Sequence, residues 1–158
     1  MLDFDQNGFL KPYGPIPADL DQLELVFVEE FTTSTTRRGH FERFREYNTR
    51  LRAYLPDEFL QWVDGSFVSR KTNPNDLDVL TFVPTAIYGP NERAFKELKE
   101  EFKKGTGGRV DAHVIQVYAE NHRYRVRYES DYIEWLHIWG YTSTRPRNPK
   151  GFVELKTV

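Results

Sequence analysis

The sequence predicts an α/β (α+β) protein in which a single mixed sheet is flanked by helices. Runs rich in β-branched and aromatic residues, typical of strands, alternate along the chain with stretches whose apolar residues recur every three or four positions, typical of helices. Such alternation is typical of helices that cover one sheet. Because no internal repeat and no polar linker divides the chain, we expect one domain over residues 1–158.

The first half of the chain predicts an extended arm followed by two helices. Residues 1–17 are rich in proline and glycine near their end, which favours an extended N-terminal arm. Apolar residues at helical spacing predict a helix over 18–31, and the threonine-rich run 32–36 predicts a loop. A second apolar stripe begins at Phe41 and predicts a helix that Pro56 ends.

The second half is predicted to alternate strands and helices. The β-rich run before Pro84 predicts a strand, because proline cannot continue a central strand. In order, we assign an apolar stretch over 59–63, a strand over 77–83, a helix over 91–104 with Gly105 as its C-cap, a strand over 109–118, a short helix over 131–139 and a strand over 151–156.

The composition excludes several other classes of protein. Hydrophobic residues make up 39% and charged residues 29% of the chain, which favours a globular fold over a disordered one. No apolar run approaches the roughly 20 residues of a membrane span, so no membrane partner is expected. Without cysteines or a signal-peptide profile, a cytoplasmic protein is expected. A net charge of −2 leaves only local basic stretches, 121–128 and 145–150, as candidate nucleic-acid surfaces.

Two closely spaced carboxylates are the first candidate for chemistry. Asp76 and Asp78 are two residues apart at the start of a predicted strand, so both side chains should leave the same face. Adjacent carboxylates repel each other unless a cation lies between them. Oxygen ligands at this spacing suit Mg²⁺, which binds a few carboxylates and keeps other positions for water and phosphate.

A third carboxylate is expected on the next strand. Asp111 follows the predicted helix 91–104, and a right-handed strand–helix–strand crossover brings its strand beside that of Asp78 if the two are parallel. A third acid at this place would bridge two metal ions and help to deprotonate an attacking hydroxyl. Taken alone, Asp111 is an ordinary outward-facing strand residue, and Asp-x-Asp is an ordinary turn or helix cap.

The segment before the two carboxylates has the features of a phosphate-binding loop. Gly65 follows an apolar stretch, and its small size lets the backbone approach a ligand closely. Ser66 adds a hydroxyl and an N–H that can hold phosphate oxygens, while Lys71, with Arg70 before it, has the charge that phosphates require. Gly-Ser alone is also a common turn, so the joint pattern with the carboxylates supports the interpretation.

Together these residues resemble the signature of the DNA polymerase β-like nucleotidyltransferase superfamily. The shared pattern is an apolar residue, Gly-Ser, a spacer, Asp-x-Asp and a later Asp. More closely, the chain resembles a bacterial family of small nucleotidyltransferase-like proteins of unknown function. The likeness comprises the Pro/Gly arm, the core Gly-Ser-Phe-Val-Ser-x-Lys-x-x-Pro-x-Asp-x-Asp over 65–78 and the ending over 149–155.

The resemblance implies a nucleotidyltransferase-like fold, two Mg²⁺ (or Mn²⁺) ions and an NTP. Gly65 and Ser66, with Lys71, would bind the nucleotide, and Asp76, Asp78 and Asp111 would be the catalytic metal ligands. The expected reaction transfers an NMP to a hydroxyl of a protein or an RNA, within a toxin–antitoxin or defence system that supplies a partner protein. The alternatives are a non-catalytic nucleotide- or RNA-binding module and an antitoxin that acts by binding its toxin.

Other residues receive weaker interpretations. If 123–128 is a strand, its arginines form one face and its tyrosines the other. Such a strand would be an acceptor surface or, in the simpler interpretation, a solvated edge strand. Trp135 and Trp139 are four residues apart, a spacing that favours core packing. No histidine pair has metal-ligand spacing, so His113 and His122 are expected in core or surface roles rather than as bases.

Overall fold

A seven-stranded mixed sheet with four α-helices forms the protein, which confirms the predicted fold class. The computed structural model describes residues 2–157. Its strands are β1 (Asp3–Phe4), β2 (Leu10–Lys11), β3 (Gly14–Ala18), β4 (Phe59–Asp64), β5 (Leu77–Pro84), β6 (Val110–Val117) and β7 (Gly151–Thr157). Its α-helices are α1 (Leu20–Glu24), α2 (Arg37–Leu51), α3 (Thr85–Lys103) and α4 (Arg125–Trp139). A π-helical turn, Leu25–Glu29, continues α1.

The main part of the sheet has the order β3–β7–β4–β5–β6. Strand β7 lies parallel to β3 and antiparallel to β4, β4 is antiparallel to β5, and β5 is parallel to β6. The short β1 and β2 extend the sheet beside the start of β7. The parallel pair β5–β6 is joined through α3, as the crossover argument predicted, and the predicted N-terminal arm is extended and paired into the sheet.

The two faces of the sheet are covered unequally. Helices α1, α2 and α3 cover one face and enclose the larger core, where alternate strand residues such as Val79 and Val153 meet helix residues such as Phe44. Helix α4 covers the other face over a smaller cluster built on Trp62 and Trp139. Because α4 does not extend over the whole of its face, part of the sheet there is left open to a cleft.

Several predicted helix boundaries were wrong, among them the end of the second helix, because α2 ends at Leu51 and not at Pro56. Helix α3 begins at Thr85 rather than at residue 91 and contains Pro90 near its start, where the missing N–H interrupts only one hydrogen bond. Helix α4 begins at Arg125 rather than at residue 131, so residues 125–128 are helical and not a strand. Arg125 interacts at helical spacing, with its guanidinium 4.5 Å from the Tyr128 ring centroid and 3.6 Å from the Glu129 carboxylate.

None of the helices in the described part of the chain is both long enough and apolar enough to cross a bilayer.

Candidate functional site

Three aspartates form a row across three neighbouring strands on the face covered by α4. Asp64 ends β4 and is the cross-strand partner of Asp78 on β5. Asp78 is in turn the partner of Asp111 on β6. Partners in a sheet have their Cβ atoms about 4.5–5.5 Å apart on the same face. The strand register therefore gathers three carboxylates at one place, two of which the sequence predicted.

Asp78, at the centre of this row, is strongly perturbed. Burial raises its pKa to about 7, and the carboxylates of Asp76, Asp64 and Asp111 act in the same direction. Lys150 opposes the shift without cancelling it. Near neutral pH the Asp78 carboxyl is thus held against an unfavourable negative field, which a bound cation would reverse.

Gly65 brings the main chain directly against Asp78. Its φ of +79° lies in the region that glycine adopts without strain. A Cβ atom at this position would lie 1.9 Å from Asp78 Oδ2, a distance that no side chain can occupy. The turn after β4 can therefore pass this close to the carboxylate row only with glycine at position 65.

The loop after Gly65 lines one side of a cleft of about 760 Å³. Residues 66–68 form a single 3₁₀ turn. The Ser69 hydroxyl donates to the Ser66 carbonyl at 2.8 Å and accepts from the Lys71 N–H at 3.2 Å. Gly65, Ser66 and Lys71 line the cleft together with Asp78, opposite the segment 141–144 that follows α4. The Ser66 hydroxyl makes no hydrogen bond within residues 2–157, so it is available to a ligand.

The buried side chain of Arg37 anchors the loop that follows Gly65. Its side chain is fully buried, and its guanidinium lies 3.7 Å from the Phe31 ring centroid. Every guanidinium nitrogen donates to main-chain oxygens, at 2.5 to 3.3 Å. The accepting carbonyls belong to Phe27, Phe67, Ser69, Lys71 and Thr72. Four of these five carbonyls lie in the segment 67–72, so Arg37 fixes the path of the loop that lines the cleft.

A buried ion pair closes the row of aspartates on its β4 side. Lys150, just before β7, forms a close ion pair with Asp64, and both side chains are almost completely buried. Burial raises the pKa of Asp64, whereas Lys150 favours the charged carboxylate. Both residues line the cleft. Since a buried charge is stable only when it is paired, the Asp64 carboxylate requires Lys150 as its partner.

Asp78 and Asp111 are joined by a histidine at the other end of the row. Asp78, Asp111 and His113 each offer one ligand atom, and these atoms lie within 4.8 Å of one another. The Asp111 Oδ1 atom is buried and has no hydrogen-bond partner in the described structure. A buried oxygen without a partner is costly unless a ligand satisfies it. The three donors therefore fit a divalent cation.

Comparison with known proteins identifies a family for this chain. The model of the DUF6932 family, described as a family of unknown function, matches residues 2–156. The chain belongs to the DUF6932 family. No curated protein and no solved structure matches it.

The structure of the DUF6932 chain brings most of the predicted site residues together. Asp78 and Asp111 are neighbours, and Gly65, Ser66 and Lys71 share a cleft with Asp78. Asp76 lies just before β5; it contributes the largest of the charge effects on Asp78 but is not part of the group of close ligand atoms.

Three residues near the site of the DUF6932 chain were not predicted as part of it. Asp64 directly precedes Gly65 at the end of an apolar stretch, which was the available signal. His113 lies two residues after Asp111 and therefore on the same face of β6. Lys150 was noted only as part of a basic segment. Its partner lies 86 residues earlier in the chain, so no local pattern indicated the pair.

Proposed function

We propose that this DUF6932 protein is a metal-dependent nucleotidyltransferase that transfers an NMP from an NTP to a hydroxyl of a protein or an RNA. The observation that supports this most is the direct pairing of Asp78 with Asp111 beside the Gly65 turn. Adjacent carboxylates next to a glycine that permits close approach form a site for a cation together with a phosphate chain.

The carboxylates are the residues that would hold the metal. Asp78 and Asp111 offer oxygens at close distance, and Asp76 adds negative charge next to Asp78. Bound Mg²⁺ or Mn²⁺ would supply charge neutralisation of the triphosphate and polarisation of its α-phosphorus. The buried Asp111 Oδ1 and the raised pKa of Asp78 support the fit, because a cation would relieve both.

The loop after β4 would hold the triphosphate. Ser66 lines the cleft and would offer its hydroxyl and N–H there, and Lys71 forms no ion pair with any residue of the described chain, so its charge is available to phosphate. Arg37 fixes the loop through its carbonyls, so these donors are positioned before a ligand binds. Preorganised donors of this kind are effective because they need little rearrangement when charge arrives.

The proposed reaction is an in-line displacement at the α-phosphorus. A bond forms between the acceptor hydroxyl oxygen and the α-phosphorus, and the bond to the bridging oxygen of the β-phosphate breaks, releasing pyrophosphate. The Asp111 carboxylate would favour loss of the hydroxyl proton and accept it. Ser66 and the segment 141–144 both line the cleft in which the acceptor hydroxyl would have to bind.

Transfer of label tests this proposal directly. The protein is incubated with each NTP labelled at the α-phosphate, Mg²⁺ or Mn²⁺, total RNA and cell extract. We expect one NTP to label a protein or RNA band, and we expect Asp78→Asn and Asp111→Asn to abolish the labelling. Both variants keep side-chain size, and melting curves establish that they are folded. Labelling that is unchanged in both variants would exclude the site.

The same experiment separates the alternative roles. If an NTP raises the melting temperature in the presence of metal but no acceptor is labelled, the protein is a nucleotide-binding module. Mass spectrometry of a labelled band identifies the acceptor, and co-purification from the source extract identifies a toxin or defence partner. If neither metal nor NTP changes the melting temperature, the proposed nucleotide site is wrong.

A further inference from the structure

His113 occupies a position at the carboxylate row that packing does not explain by itself. On β6 it shares a face with Asp111, and its Nε2 atom lies 3.6 Å from Asp111 Oδ2. This distance exceeds that of a hydrogen bond. About three-quarters of the side chain is buried, and Asp111 is its ion-pair partner among the described residues.

The ring is held in place by two tryptophans of α4. Trp135 contacts it with a centroid separation of 5.1 Å, and Trp139 does so at 6.3 Å. The two tryptophans also contact each other at 5.3 Å, so they form one rigid wall behind the histidine. Of the two ring nitrogens, Nε2 is the one that lies near the Asp111 carboxylate.

We propose that His113 is a nitrogen ligand of the divalent cation that Asp78 and Asp111 hold. The inference rests on the proposed function for the existence of that cation, and it adds the identity of a third ligand. In octahedral coordination with bonds of about 2.1 Å, opposite ligands are about 4.2 Å apart. The three donor atoms lie within 4.8 Å of one another, so small rotations of the side chains would close the site.

A nitrogen ligand changes which metal the site prefers. Magnesium is a hard cation that favours oxygen, whereas imidazole suits transition ions. Two carboxylates and one imidazole form a mixed set of donors that accepts Mn²⁺, Fe²⁺ or Co²⁺ more readily than Mg²⁺. We therefore expect this site to bind Mn²⁺ more tightly than Mg²⁺, with His113 responsible for the difference.

Electron spin-echo spectroscopy of the Mn²⁺-loaded protein tests the ligand itself. A nitrogen bonded to Mn²⁺ modulates the echo, and oxygen ligands do not. We expect the modulation in the wild type and its loss in His113→Phe, which keeps a ring against the two tryptophans but removes the nitrogens. His122→Phe is the matched control, because His122 lies beyond the opposite end of β6 and should leave the signal unchanged.

Titration calorimetry provides the second readout. We expect His113→Phe to weaken Mn²⁺ binding by at least about tenfold while changing Mg²⁺ binding by less than about threefold. If Mn²⁺ binds the wild type without nitrogen modulation, or binds His113→Phe equally well, His113 is a packing residue and the inference is wrong. If the wild type binds neither ion, the metal site of the proposed function fails as well, so the two failures are distinguishable.

Discussion

Arg37 and Asp78 are two buried charged residues with opposite surroundings. The Arg37 guanidinium is enclosed by five main-chain carbonyls that accept all of its hydrogen bonds. The Asp78 carboxylate is surrounded by three further carboxylates, which raise its pKa together with burial. The fold gives the Arg37 charge a full set of hydrogen-bond acceptors, whereas it places the Asp78 charge beside other negative charges. A group of the first kind stabilises the fold, and a group of the second kind is what the proposed metal site would require.

The ion pair of Lys150 with Asp64 lies between these two extremes. It is buried like Arg37, and it lines the cleft like Asp78. Because each charge has one partner, removing either charge alone should expose the other to the full cost of burial. Four substitutions test this comparison, at Arg37, Lys150, Asp78 and the cleft residue Ser66.

The largest effect is expected for Arg37→Met. Five carbonyls would lose a charged donor, and since such hydrogen bonds contribute about 1.5–3 kcal/mol each, we expect a loss of at least about 5 kcal/mol in the free energy of unfolding. Chemical denaturation measures the loss. The matched control is Arg38→Met, because Arg38 pairs with Glu24 and Glu29 at the surface, where solvent screens ion pairs, and should change the free energy of unfolding far less. Equal effects of the two substitutions would refute the structural role of Arg37.

Lys150→Met should have the next largest effect. It leaves the Asp64 carboxylate buried without a partner, which typically costs about 3–5 kcal/mol. The double variant Asp64→Asn/Lys150→Met should recover most of this loss, since neither charge then remains. A double-mutant cycle on the free energy of unfolding measures the coupling. Additive losses would mean that the pair contributes through packing alone.

Asp78→Asn should stabilise the metal-free protein in a pH-dependent way. The pKa of Asp78 is about 7 in the folded state and about 3.9 in the unfolded state, so ionisation disfavours folding. Relative to the variant, the wild type should be equally stable below about pH 4, lose stability between pH 4 and 7, and be less stable by up to about 4 kcal/mol above that range.

Denaturation curves at several pH values, with and without Mn²⁺, measure this difference. Mn²⁺ should restore the free energy of unfolding of the wild type at neutral pH. It should leave that of Asp78→Asn unchanged, because the carboxylate is needed to bind the metal. A difference between the two proteins that is constant over the pH range would show that the Asp78 charge is not opposed in the folded state.

The smallest effect on stability is expected for Ser66→Ala. Its hydroxyl makes no hydrogen bond in the described structure, so the free energy of unfolding should change by less than about 0.5 kcal/mol. The loss of one hydrogen bond to a charged phosphate should still weaken NTP binding about tenfold to a hundredfold. Titration with a non-hydrolysable NTP measures this, with Ser130→Ala on the exposed side of α4 as control. Unchanged affinity would mean that Gly65-Ser66 is only a turn.

The parts of the site that could be predicted from the sequence are local in the chain. Asp76 and Asp78 share a strand start, and the crossover through α3 made Asp111 a neighbour of Asp78. The sequence did not predict the pairing of Asp64 with Lys150, because it depends on the antiparallel register of β4 with β7. Such a register depends on the whole sheet and cannot be recognised from the sequence of either segment alone.

Local patterns did not predict where α4 begins. Over residues 123–128 arginines alternate with tyrosine and valine, which is compatible with a strand, whereas α4 already begins at Arg125. In the structure the same residues contact each other at helical spacing, with Arg125 against Tyr128 and Glu129. Alternation in a short segment is compatible with both periods, and contacts with the rest of the fold decide between them.

The position of β7 has a consequence for how the protein folds. It is the last strand of the described residues, yet it lies between β3 and β4, and its Gly151 pairs with Gly14 from the other end of those residues. During synthesis β3 and β4 cannot be joined in one sheet until β7 is available. The slow step of folding should therefore be the insertion of β7 between them. Lys150 arrives with the same segment, and until then Asp64 has no counter-charge. The nascent chain therefore acquires its sheet and its cleft in one late event.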